Sequence, residues 1–361
     1  MLSPRNGNGF RAFALGFVLA TILITPARAQ NPLDEPNVLP PAHPKVSESS
    51  VPPVIPIPAG GTPGAGTSAG PSDQVSSAAL RSREKPIKVA VELVLIPVTI
   101  TDPLNRLVTG LDKENFSILE GKDPQEIKNF SSEDAPVSIG VIFDVSGSMS
   151  SKIEKSREAV VEFFKTANPQ DEFFMIAFSD KPEQLSDFTQ SVEDIQGKLV
   201  FTVPKGRTAL LDAIYLGINK MHQAKYPKRA LLIISDGGDN HSRYTENEIK
   251  SLVKEADVMI YAIGIYDHYF ASDEERLGPA LLSDIAELTG GRAFTIDNPN
   301  DLGDVATKIG IELRNQYVLG YRPKNPLHDG KWRKIKVKLN PPRGLPPLKV
   351  YAKTGYYAPV E

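Results

Sequence analysis

The chain has 361 residues, with 41 basic and 44 acidic side chains and a formal net charge of −3; that length exceeds one ordinary core and fits two globular units plus tails. No basic excess is available to neutralise phosphates, so no nucleic-acid partner is expected. The absence of cysteine removes disulfides, zinc–thiolate sites, thiol catalysis and a lipidated N-terminal Cys.

Arg5 and Arg11 lead into an apolar run from Ala12 to Ile24, followed by the small-x-small triplet Ala27-Arg28-Ala29. This order predicts a signal peptide over 1–29. The run is shorter than the ~20 residues needed to span a bilayer. Cleavage would remove three Arg and no acid, leaving 38 basic against 44 acidic side chains, a mature chain near −6. The expectation is a secreted, extracytoplasmic protein (periplasm, cell surface or medium) with no membrane span in the mature chain. Residues 30–85 are rich in Pro, Gly, Ser and Ala; such a segment buries too little apolar surface to offset the entropy of ordering and reads as a disordered linker.

From Ile87, VAVELVLIPVTITD alternates as a strand does, and Asp102 to Asn105 supplies turn residues. Short strands are expected near Leu107, Phe116 to Ile118 and Ile127, with a turn at Gly121, so 86–134 forms a small β segment. From Ser138 the rhythm changes to apolar strands alternating with amphipathic helices. SIGVIFDV, FFMIAF, RALLIISD, VMIYAIGI and RAFTI read as strands. Between them, Ser151 to Glu154 and Thr245 to Glu248 have the form of capping boxes, and Gly290-Gly291 is a helix stop. This pattern over 138–315 predicts an α/β domain with a mainly parallel, doubly wound sheet covered on both faces. After Gln316 the pattern returns to β through YVLGYRP, WRKIKVKL and LKVYAKTGYYAP. Neither β segment, 86–134 or 316–361, is large enough to fold well alone. They are expected to pair into one small all-β sandwich with the α/β domain inserted between them.

Ligands of open α/β sheets sit at the carboxyl ends of the strands. There the first α/β strand ends in Asp144-Val145-Ser146-Gly147-Ser148, the RALLIISD strand ends in Asp236, and Gly206-Arg207-Thr208 opens a helix. Two carboxylates and three hydroxyls form an all-oxygen set, which selects a hard divalent cation: Mg²⁺ first, with Ca²⁺ or Mn²⁺ as alternatives. Alternation along an extended loop would put Asp144, Ser146 and Ser148 on one side, and Gly147 would let that loop bend tightly. Asp239 and Asp212 lie close enough in sequence to support the set from behind.

The Asp-x-Ser-x-Ser motif, the distant Gly-x-Thr turn and the distant Asp after a strand resemble the metal-ion-dependent adhesion site of von Willebrand factor type A domains. The resemblance covers about Ser138 to Asn315. It implies that Asp144, Ser146, Ser148, Thr208 and Asp236 bind the metal and that a carboxylate of a protein partner completes the coordination. The flanking β segments look like a bacterial secreted subgroup of that family.

Taken singly, Asp144 could cap a helix and the two serines could be turn residues. As functions, a non-enzymatic binding or adhesion module stands beside two alternatives. One is a Mg²⁺-dependent, phosphatase-like hydrolase, although such sites usually place a second Asp where Ser146 stands. The other is a structural protein whose sandwich makes the contacts. The aromatic loop Tyr266 to Phe270 is a candidate partner surface. Asn-x-Ser triplets at Asn115, Asn129 and Asn240 match an acceptor motif and carry no functional expectation.

Overall fold

The computed structural model of the chain describes residues 93–236, 238–266 and 273–360. The segments read as signal peptide and linker, the beginning of the first β segment, and Asp267 to Phe270 of the aromatic loop lie outside the described residues.

The first β segment forms β1 (Val94–Thr101), β2 (Phe116–Glu120), β3 (Asp123–Gln125) and β4 (Ile127–Ser131). The α/β part follows as β5 (Ser138–Asp144), α1 (Ile153–Phe164), β6 (Glu172–Phe178), β7 (Pro182–Thr189), α2 (Val192–Val200), α3 (Leu210–Met221), β8 (Arg229–Ser235), α4 (Glu246–Glu255), β9 (Met259–Ile265), α5 (Asp273–Thr289), β10 (Ala293–Ile296) and α6 (Leu302–Arg314). The chain closes with β11 (Tyr317–Tyr321), β12 (Trp332–Leu339), β13 (Lys349–Ala352) and β14 (Gly355–Tyr357).

The central sheet has the order β10-β9-β8-β5-β6-β7. Its strands are parallel except for the edge pair β6–β7. Every residue of β5 and β9 is buried, because helices cover both faces. Val141, Phe143, Leu232 and Tyr261 pack on one face with Val160 of α1 and Ile309 of α6. On the other face Ile142, Phe174 and Ile233 pack with Ile214 of α3, Val253 of α4 and Ile285 of α5. The doubly wound α/β layer expected from the alternation is therefore the fold.

The flanking strands form two four-stranded antiparallel sheets of order β13-β1-β11-β4 and β14-β12-β2-β3. Each mixes strands from before and after the α/β part: β1 and β4 both pair with β11, and β2 pairs with β12. Ile96 and Tyr317 of one sheet and Ile118 and Ile335 of the other share a single apolar core. The insertion closes neatly at its ends. The last residue of β4, Ser131, pairs with Val318 of β11, and Arg314 at the end of α6 bridges to Asp134 at 3.1 Å.

Local details differ from the sequence expectations for physical reasons. The capping box read at Ser151 is absent: residues 147–151 already wind as a 3-10 turn, and α1 starts behind Lys152 with no side-chain cap. At α4 the box is complete, with Glu248 N donating to Thr245 Oγ1 and Thr245 N donating to Glu248 Oε2. β7 carries no apolar run to announce it, because an edge strand covered on one side buries only Ser186 fully. LKVYAKTGYYAP, expected as one strand, splits at Lys353-Thr354 into β13 and β14, which belong to different sheets. Among the described residues no helix is long and apolar enough to cross a membrane.

Candidate metal centre

From β5 the chain builds outward through β6 to β7, then returns to lay β8 along the other edge of β5. The strand order reverses between β5 and β8, so a crevice opens at their carboxyl ends. Asp144 is the last residue of β5 and Asp236 directly follows β8.

Asp144 is fully buried. Its Oδ1 accepts from Ser146 N at 2.8 Å and its Oδ2 from Ser235 Oγ at 2.6 Å. Burial pushes its carboxyl up to about 7, helped by the negative charge of Asp236 and opposed by the hydrogen bonds from Ser235 and Ser146. Ser146 Oγ and Ser148 Oγ are 3.0 Å apart. What brings them together is the 3-10 turn that begins at Gly147, not the alternation of an extended loop. Gly147 is also not a left-handed bend, since its φ is not among the positive ones. Its N–H donates to Gly206 O at 3.0 Å, and a Cβ there would stand 3.2 Å from that same oxygen. The glycine lets two loops touch.

The second loop carries Thr208. Gly206 has φ +77°, and a Cβ on it would fall 2.4 Å from the Asp180 carboxylate. That carboxylate accepts from Arg207 N and Nε at 3.0 and 3.3 Å. Thr208 N donates to Asn240 Oδ1 at 3.0 Å, while Thr208 O accepts from Asn240 N and His241 N at 3.0 and 3.1 Å. Asn240, which no local sequence pattern ties to the site, thus clamps the Thr208 backbone.

Asp236 is 1% exposed, and neither of its carboxylate oxygens accepts a hydrogen bond from the described residues. Lys152 Nζ lies 3.6 Å from Oδ2 and also donates to Ile265 O at 3.3 Å. The buried Tyr266 hydroxyl likewise has no hydrogen-bond partner among the described residues; burial, then the Asp236 charge, pushes its ionisation up.

Asp239 and Asp212 serve neighbouring backbone. Asp239 Oδ1 accepts from Leu211 N at the start of α3 and from Ser242 Oγ, at 3.2 and 2.6 Å. Asp212 accepts from Arg243 N and Tyr244 N at 2.8 and 3.2 Å, with Arg243 Nε at 3.1 Å. Together they fasten the loop after β8 to α3.

Among the described residues no group of three or more His, Asp or Glu converges on one point, so a cation here would depend on hydroxyls as well as carboxylates. A buried carboxylate with no hydrogen bond, beside a second buried carboxylate, is costly as it stands and is the environment a hard divalent cation relieves.

Residues 139–238 match the family model of the von Willebrand factor type A domain. Over those residues, which hold β5 to β8 of the α/β part, the chain is similar to von Willebrand factor type A domains. The chain is 31% identical over 146 residues to inter alpha-trypsin inhibitor heavy chain 4 of Mus musculus, covering 36% of this chain and 16% of that one. It is 22% identical over 188 residues to an uncharacterized protein of Borreliella burgdorferi, covering 45% of this chain and 55% of the other. The matches therefore span well under two thirds of these relatives. A solved von Willebrand factor type A structure from Catenulispora acidiphila aligns over 74% of this chain and 75% of its own, with 12% identity and a TM-score of 0.44.

Proposed function

We propose that this protein is a non-enzymatic, extracytoplasmic binding module that holds one divalent cation, Mg²⁺ by preference, between Asp144, Ser146, Ser148, Thr208 and Asp236, and uses it to engage an acidic group of a protein partner. The observation that carries the reading is Asp236, whose two buried oxygens accept no hydrogen bond from the described residues. A bound cation would supply an electrophilic position for an anionic oxygen. The two carboxylates would roughly balance its charge, and the three hydroxyls would add neutral oxygens without weakening its pull on an incoming carboxylate. Asn240 holds Thr208 in place, and Ser235 orients Asp144. Against a phosphatase-like nucleophile, Asp144 is fully buried and both its oxygens already accept hydrogen bonds. The apolar leader of the sequence supports a location outside the cytoplasm.

The test is titration calorimetry of Mg²⁺, Ca²⁺ and Mn²⁺ into the chelator-stripped protein, beside Asp144→Ala and Ser146→Ala/Ser148→Ala. One binding event, lost in both variants while their circular dichroism stays native, is the expected result. No binding to the wild type, or binding that survives both variants, refutes the assignment.

A further inference from the structure

Beside the candidate metal centre the surface opens into a groove of about 600 Å³. Val145, between Asp144 and Ser146, forms part of its wall, with Phe178 at the end of β6 and Phe201 and Val203 after α2. The wall and the centre are one construction: Lys205 N donates to Val145 O at 2.9 Å, and the same loop runs on to Thr208. At the end of α2 and along that loop apolar side chains stand out in solvent. Val200 is 63% exposed, Phe201 84% and Val203 67%. Such a local concentration of large exposed apolar residues marks an interaction surface more often than chance.

The charges on the rim are not neutral toward a partner. Asp180 is held by Arg207 at 3.3 Å, and Glu183 is paired with Lys181 at 3.5 Å. Lys198 and Lys205 also line the groove, and neither makes an ion pair with the described residues. The rim therefore offers cationic side chains around an apolar floor, next to a centre that suits an anionic oxygen.

Resting on the function proposed above, we infer that the groove seats an apolar or aromatic side chain of the same partner segment whose carboxylate meets the metal. The ligand is then an acidic–apolar protein motif: an Asp or Glu with a large apolar residue a few positions away. An extended chain advances about 3.3 Å per residue, so a short peptide can reach from the crevice to the adjoining groove. Division of labour follows. The carboxylate contributes the metal dependence, and the apolar anchor contributes selectivity among acidic segments.

The experiment pans a random-peptide phage library on the full-length protein in Mg²⁺, elutes with chelator, and repeats the selection on Phe201→Ser/Val203→Ser and on Asp144→Ala. Both loop side chains are solvent-exposed, so the double variant should keep its thermal midpoint. The wild type is expected to enrich peptides pairing an acid with a nearby aromatic or aliphatic residue. The double variant should still enrich acids but lose the apolar preference, and should bind a selected synthetic peptide about tenfold or more weakly. Asp144→Ala should enrich neither. Acid-only enrichment on the wild type, or the same apolar enrichment on the double variant, overturns this inference and leaves the metal reading standing. No chelator-elutable peptides from the wild type overturn both. A wild-type dimer in sedimentation that the double variant converts to monomer would assign the groove to a second copy of the chain and overturn the acidic–apolar motif.

Discussion

A carboxylate buried without a hydrogen bond is expensive unless a positive charge compensates it, and removing the charge then relieves the folded state. Asp236 accepts no hydrogen bond from the described residues, its ion pair with Lys152 is long at 3.6 Å, and Asp144 adds a second buried carboxylate to the same crevice, so it is compensated only in part. Asp236→Asn is therefore expected to unfold no earlier than wild type in chelator. It should fail to respond to Mg²⁺, whereas wild type should gain about 2.7 kcal/mol when free Mg²⁺ is one hundred times Kd. Differential scanning calorimetry in chelator and in Mg²⁺ measures both halves. A variant that melts well below wild type in chelator would mean that the Lys152 pair by itself compensates Asp236 and that no cation is needed.

Helix starts show how one sequence pattern gives two outcomes. Thr245 opens α4 with its hydroxyl accepting from Glu248 N, so Thr245→Ala should cost about 1 kcal/mol. Ser151 precedes α1 in the same Ser-x-x-Glu form, yet it lies inside a 3-10 turn and caps nothing. Ser151→Ala should change stability by less than about 0.5 kcal/mol. Urea unfolding of the two variants decides the comparison, and equal losses would contradict it. The difference is set by what comes before each helix. The chain reaches Thr245 extended, whereas it reaches Lys152 already wound by the turn that gathers Ser146 and Ser148.

At the scale of the molecule, the sandwich and the α/β layer are joined through Arg292. Its guanidinium lies between the rings of Phe294 and Tyr351, 4.6 and 4.5 Å from their centroids. It pairs with Glu312 of α6 and donates to Asn105 Oδ1 in the turn after β1, the latter at 3.2 Å. Glu312 is 1% exposed; burial pushes its carboxyl up and Arg292 draws it back down. Arg292→Met should therefore cost about 3–5 kcal/mol by leaving a buried carboxylate unpaired, and adding Glu312→Gln should restore much of it. Denaturant unfolding of the single and double variants checks the coupling. Additive losses would show that the pair is not the joint.

The alternation of apolar runs, the turn glycines and the oxygen side chains at strand ends were legible from residue order, because period and turn chemistry are local properties. They determined a doubly wound α/β layer and two β flanks, and they are the ground on which Asp144, Ser146, Ser148, Thr208 and Asp236 are proposed as a set. Which strands pair was decided only by the tertiary structure, since β1 with β11 and β2 with β12 join segments on opposite sides of the α/β part. The supports of the centre were likewise hidden. Ser235 reaches Asp144 across 91 residues and Asn240 reaches Thr208 across 32, and no local pattern records a contact made by a chain crossover. Asp239 and Asp212 stand near the set in sequence, yet packing assigns both to the backbone of α3 and its facing loop. The groove too is a property of the tertiary structure, because exposure of Phe201 and Val203 depends on what the rest of the fold leaves uncovered, and sequence records only that they are apolar.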